Sequence, residues 1–118
     1  MKYNVPIKTK AQLGDLITFH YRGGSDIQPI VLFLASMQTP ENHKLITGFN
    51  LNYINGYKNQ KAILFRAREL AVKYKAKAVY EKLLQEFPKL RRAYRQYTVS
   101  HISGAKKFDF DQIKLVPA

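Results

Sequence analysis

The hydrophobic period of this 118-residue chain changes at Asn55-Gly56, and that switch limits the folds open to it. Upstream, apolar residues come in runs of strand length between turn signals, where side chains alternate across the two faces of a sheet. The segment Asp15-Leu16-Ile17-Thr18-Phe19-His20-Tyr21-Arg22 is β-branched and aromatic, and Gly23-Gly24-Ser25-Asp26 closes it, so it reads as a strand and a hairpin turn. No Gly-Lys-Ser/Thr follows the two glycines, which excludes a phosphate-cradling loop of that type. Gln28-Pro29-Ile30-Val31-Leu32-Phe33-Leu34-Ala35 is a continuous apolar run, the pattern of a strand buried on both faces, and predicts the central strand. Pro29 belongs at its start because it has no N–H for the ladder. Thr39-Pro40-Glu41-Asn42 reads as a turn, and Lys44-Leu45-Ile46-Thr47-Gly48-Phe49-Asn50-Leu51 as a third strand with Gly48 at a bend or close backbone approach. Short turns between successive strands predict an antiparallel meander, wrapped into a small SH3-like barrel.

Downstream the period moves towards 3.6. Ile63, Ala67, Leu70 and Tyr74 fall on one helical stripe with Leu64 and Ala71 beside it, flanked by Arg66, Arg68, Lys73 and Lys75. Phe65 and Val72 point away from the stripe, a second apolar edge that makes them candidates for a protein interface. Val79, Tyr80, Leu83, Leu84 and Phe87 mark a second amphipathic helix, stopped near Phe87 because the residue before a proline is pushed out of helical geometry. Pro88 can open a third helix, expected to run to about Tyr97. Thr98-Val99-Ser100-His101-Ile102 and Phe108-Asp109-Phe110-Asp111 are again extended, as a hairpin or as a return to the sheet.

The expected fold class is therefore α+β: a small antiparallel sheet or SH3-like barrel covered by two or three basic amphipathic helices. Its length and 46% hydrophobic content suit a single domain over 1–118 with one main core. Within it, 1–52 form a β module, 51–97 a helical part and 98–118 an extended tail returning to the sheet.

Charge divides the chain at the same place. Residues 1–57 hold five basic and three acidic side chains, whereas 58–118 hold fifteen and five, a local excess of +10. Charge concentrated on consecutive helices makes a field that recruits a polyanion. The densest segment is Lys89-Leu90-Arg91-Arg92-Ala93-Tyr94-Arg95-Gln96-Tyr97. In helical projection Arg91, Arg92 and Arg95 share one sector and Leu90, Tyr94 and Tyr97 another, a guanidinium cluster on an anchored helix. Guanidinium forks match phosphate oxygens, so the nucleic-acid-binding candidates are Arg91, Arg92 and Arg95, supported by Arg66, Arg68, Lys73 and Lys75. Lys58, Lys61, Lys77 and Lys82 enlarge the basic surface. The fifteen Tyr and Phe are read as core and interface rings rather than as stacking platforms.

Other chemistries find little here. The chain has no cysteine, hence no disulfide, thiolate zinc site or thiol nucleophile. His20, His43 and His101 are dispersed; His20 is expected half-buried on its strand and His101 in a structural, hydrogen-bonded role. Asp109 and Asp111 alternate as paired metal-binding carboxylates would, but read better as a solvated edge with Phe108 and Phe110 packed inward. The amides of Asn50-Leu51-Asn52-Tyr53 are expected to satisfy backbone groups where sheet gives way to helix. No apolar run approaches the ~20 residues of a membrane span, and Met1-Lys2-Tyr3-Asn4 lacks a secretory apolar core. The expectation is a non-enzymatic protein with no metal, cofactor, membrane or small-molecule substrate.

Three segments carry a resemblance: Pro29-Ile30-Val31-Leu32-Phe33-Leu34, Gly48-Phe49-Asn50-Leu51-Asn52-Tyr53-Ile54, and Tyr94-Arg95-Gln96-Tyr97-Thr98-Val99-Ser100-His101. Their combination resembles small proteins of tailed bacteriophages, including the T4-like group, in which a buried P-L-V-L strand precedes a G-L-N-L-H-Y-L segment and a later R-Y-x-x-S-H element. Asn52 stands where that pattern usually has His. The resemblance implies a phage origin and a role near phage DNA or the virion, in the host cytoplasm during infection or in the particle. It leaves two functions open: a phage nucleic-acid-binding protein, with DNA the expected partner and little sequence preference, or a structural or assembly component meeting other phage proteins.

Overall fold

The structure, a computed structural model, describes residues 11–24 and 28–108; Asp109, Phe110 and Asp111 lie outside the described residues. Strands β1 (Leu16–Tyr21), β2 (Ile30–Gln38) and β3 (Lys44–Asn50) form the expected meander. A 3-10 turn, Leu51–Tyr53, leads to helices α1 (Tyr57–Lys73) and α2 (Ala76–Glu86). A second 3-10 turn, Pro88–Ala93, then feeds β4 (Tyr94–Thr98), and a third, Val99–His101, feeds β5 (Ile102–Phe108). The antiparallel sheet has the order β4-β3-β2-β1-β5, with β2 at its centre. The fold is α+β.

The sheet is rolled. Only the turn Val99–His101 separates β4 and β5 in sequence, yet they occupy opposite edges. Two strands lie between β1 and β4, which in a flat sheet would hold them ~14 Å apart. Instead the Tyr21 and Tyr97 rings meet edge to face at 5.1 Å between centroids, and the Thr98 N–H donates to the Tyr21 hydroxyl at 3.0 Å. The expected barrel is thus realised as a curled sheet in which β4 and β5 do not pair among the described residues.

Alternation writes two cores onto this sheet. Ile17, Phe19, Val31, Phe33, Ile46, Tyr97, Val99 and Ile102 fill the inside of the roll. Leu16, Leu32, Leu34 and Phe49 face outward against Ile63, Leu64, Ala67 and Leu70 of α1, Val79 and Leu83 of α2, and Leu90. The apolar run of β2 is continuous because both of its faces are covered. Gly48 lets β3 press on β2: a Cβ there would lie 2.4 Å from the Leu32 carbonyl oxygen and 2.6 Å from a Val31 methyl. The register shifts beside it, between Phe33 and Ala35.

Three expectations are corrected. No third helix runs from Pro88 to Tyr97; the chain makes a 3-10 turn to Ala93 and then strand β4, pairing Leu45↔Thr98 through Phe49↔Tyr94. Helical spacing would put Tyr94 and Tyr97 on one face, whereas the strand sends Tyr94 to the helices and Tyr97 inside the roll. The edge of β3 decides the contest, because its N–H and C=O groups need partners that a helix could not supply. Tyr74 does not belong to the buried stripe: it is the extended C-cap of α1, exposed beneath the Lys82 ammonium at 4.7 Å. His20 is exposed beside Gln28 rather than half-buried, and His101 lies on a 3-10 turn with its ring 5.7 Å from that of Tyr21. The amides behave as expected, Asn50 Oδ1 accepting from the Asn52 N–H and Asn52 Nδ2 donating to the Gln28 carbonyl. Among the described residues no helix is long and apolar enough to cross a membrane.

Candidate nucleic-acid interface

The seven basic candidates separate into groups with different surroundings. Arg66 is held in a carboxylate clamp: Nε and Nη2 donate to both oxygens of Glu86 at 2.8 to 3.0 Å, and Nη1 to Glu69 at 3.2 Å. The hydrogen bonds from Arg66 hold the Glu86 carboxyl below the usual carboxylate range. This is an α1–α2 brace, with its charge already matched. Arg68 Nε donates to the Gly14 carbonyl at 3.0 Å, tying α1 to the entry of β1. Lys73 and Lys75 are exposed where α1 passes into α2.

The arginine trio also divides. Arg91 and Arg92 are exposed on the Pro88–Ala93 turn, whose Leu90 and Ala93 are fully buried. Arg95 belongs to β4, so the three do not share one helical sector. Its Nη1 donates to the carbonyls of Arg92 and Tyr94, both at 2.7 Å, and its guanidinium carbon sits 4.3 Å from the Tyr53 ring centroid. Arg95 thereby becomes half of a guanidinium–aromatic pair.

Tyr53, 49% exposed, stands between two hollows. The larger, about 370 Å³, runs between the start of α1 and the turn after α2, and Asn55, Asn59, Lys89 and Arg92 border it beside the Tyr53 ring. Glu86, also on its wall, is engaged by Arg66. The smaller, about 160 Å³, opens at the end of the rolled sheet between Tyr21, Pro29, Asn50, Tyr53, Arg95 and Tyr97. Burial pushes the Tyr97 phenol up, opposed by its hydrogen bond from Asn50 and by the Arg95 charge, so at neutral pH it stays protonated. Cations, amides and an exposed aromatic ring converge here, a set that suits phosphates and bases together.

Sequence reasoning named Arg91 and Arg92, which are exposed on the turn, but not Tyr53, Asn59 or the tyrosine-lined hollow. One signal was present: in the asparagine-rich stretch Asn50 to Gly56, Leu51 and Ile54 are the apolar anchors, which leaves the Tyr53 ring to the surface. Phe65 and Val72 lie where expected, 51% and 85% exposed on the outer side of α1, with the Lys61 ammonium 5.6 Å from the Phe65 ring. Comparison with protein-family models, curated proteins and solved structures finds no match for this chain.

Proposed function

We propose that this protein binds nucleic acid without catalysis, contacting phosphates through Lys89, Arg91 and Arg92 on the Pro88–Ala93 turn, with little sequence preference. One observation carries the reading: on a turn anchored by Leu90 these three cations form no ion pair with any described residue, and Lys89 and Arg92 border the hollow beside an exposed tyrosine. Phosphate contacts position a protein on a polyanion without reading its sequence. The basic helices supply the surrounding field, while Arg66 and Arg68 serve the fold. The resemblance to tailed-phage proteins supports a place near phage DNA, in the host cytoplasm during infection or in the particle. Fluorescence anisotropy with labelled DNA and RNA at low salt tests this: wild type binds, and the double variant R91A/R92A loses most of the affinity. Absence of binding by wild type, or indifference to the double substitution, overturns it.

A second reading rests on a different face. Phe65 and Val72 expose apolar surface two turns apart on α1, as a structural or assembly component meeting another phage protein would. Under that reading a stoichiometric protein partner copurifies after nuclease treatment and at high salt, and F65S/V72S releases it without loss of stability.

A further inference from the structure

We infer that the hollow between Tyr21, Asn50, Tyr53, Arg95 and Tyr97 receives one unpaired pyrimidine base, so that the preferred partner is a single strand. The inference rests on the nucleic-acid reading and narrows it. The floor of the hollow is built by hydrogen-bond logic. Asn50 Oδ1 accepts the Asn52 N–H at 3.0 Å, which fixes the orientation of the amide. Asn50 Nδ2 must then be the group facing Tyr97, donating to its hydroxyl oxygen at 3.1 Å. The Tyr97 oxygen is thus the acceptor, and its own hydrogen, together with the second N–H of Asn50, meets no acceptor among the described residues. Both side chains are more than nine-tenths buried. Donors left open in this way on the wall of a hollow are free to serve an acceptor that enters it.

The shape selects the ligand. A volume of about 160 Å³ is close to that of a protein cavity known to hold a single benzene ring, roughly 150 Å³. The walls are aromatic, and the Arg95 guanidinium sits over the Tyr53 ring, a guanidinium–aromatic pair of the kind that bases stack against. A pyrimidine ring carries a carbonyl oxygen, O2, in its plane, an acceptor for the donors of the floor while its faces meet the tyrosines. In a duplex the faces of the ring are covered by the neighbouring base pairs, so a base that enters the hollow and lies against its tyrosines must be unpaired.

The test is competitive anisotropy with dT, dC and dA oligonucleotides and a duplex of equal length. Wild type is expected to bind dT and dC at least tenfold more tightly than dA or duplex. Y97F, which keeps the ring and removes the hydroxyl, and with it both the open donor and the acceptor of Asn50 Nδ2, should abolish the pyrimidine preference while the salt dependence stays unchanged. Y53L should weaken single-strand binding about tenfold and duplex binding by less than about threefold. Equal affinity for duplex and single strand, or a pyrimidine preference that survives in folded Y97F, overturns this inference while the phosphate-binding function stands. Failure to bind any oligonucleotide overturns both.

Discussion

Arg66→Gln and Arg92→Gln each lower the net charge from +12 to +11, yet the geometry assigns them different consequences. Arg66 lies 2.8 Å from Glu86 and 3.2 Å from Glu69, so its charge is neutralised before any ligand arrives. Arg92 is exposed with no carboxylate partner among the described residues. Binding a phosphate releases counterions, and each contact on a single strand contributes about 0.7 to the slope of log K against log salt. Arg92→Gln should therefore flatten the slope by about 0.7, and R91Q/R92Q by about 1.4, whatever the remaining lysines contribute. Between 50 and 200 mM salt, the double variant should lose roughly sevenfold less affinity than wild type does. Arg66→Gln should leave the slope unchanged and act on folding instead. Anisotropy titrations of one labelled oligonucleotide at four or more salt concentrations measure all three. Equal flattening by Arg66→Gln and Arg92→Gln would refute the division of the arginines into brace and contact.

Gly48→Ala places a Cβ 2.4 Å from a backbone oxygen of the central strand, which cannot retreat without breaking the β2–β3 ladder. The cost should reach about 3 kcal/mol, the upper part of the overpacking range, lowering Tm by roughly 10 °C in a scan followed by circular dichroism. The Arg66–Glu86 brace has a pH signature. Because the carboxyl pKa is depressed in the folded state, its stabilisation is complete above the ordinary glutamate range and is lost as pH falls through the lowered value. The gap in urea midpoint between wild type and Arg66→Gln should accordingly be widest near about pH 7 and narrow as pH falls below the ordinary glutamate range and through the lowered value.

The meander was legible because burial on both faces leaves nothing polar in Val31-Leu32-Phe33-Leu34, and because Gly48 interrupts β3 where only a missing Cβ fits. Strand β4 was not. Leu90, Tyr94 and Tyr97 follow helical spacing, and Pro88 is a good first residue for a helix, so local pattern and tertiary demand pointed in different directions. Residue type shows charge but not its neighbours: Arg66 and Glu86 lie twenty positions apart, and only the packing of α1 on α2 brings them together. The exposed pair Phe65 and Val72 was readable because both lie off a stripe that the sequence itself defines. The hollow was not, since Asn50 and Tyr97 are forty-seven positions apart and neither stands out in its own segment.

That separation explains where the candidate site lies. The helices are an excursion between β3 and β4, which are neighbours in the sheet, and the pairing Phe49↔Tyr94 fixes where the excursion leaves and returns. The exit turn Leu51–Tyr53 and the entry turn Pro88–Ala93 must therefore emerge side by side, bringing Tyr53 against Arg95 and next to Arg92. Strand parity does the rest: Arg95 and Tyr97 share one face of β4, so the register that buries Tyr97 under Asn50 also turns Arg95 towards Tyr53. A slip of one residue would send both to the helix face and dismantle the hollow while leaving the positive charge of the chain untouched. The charge supplies long-range attraction, but the β3–β4 register gives that attraction a place to act.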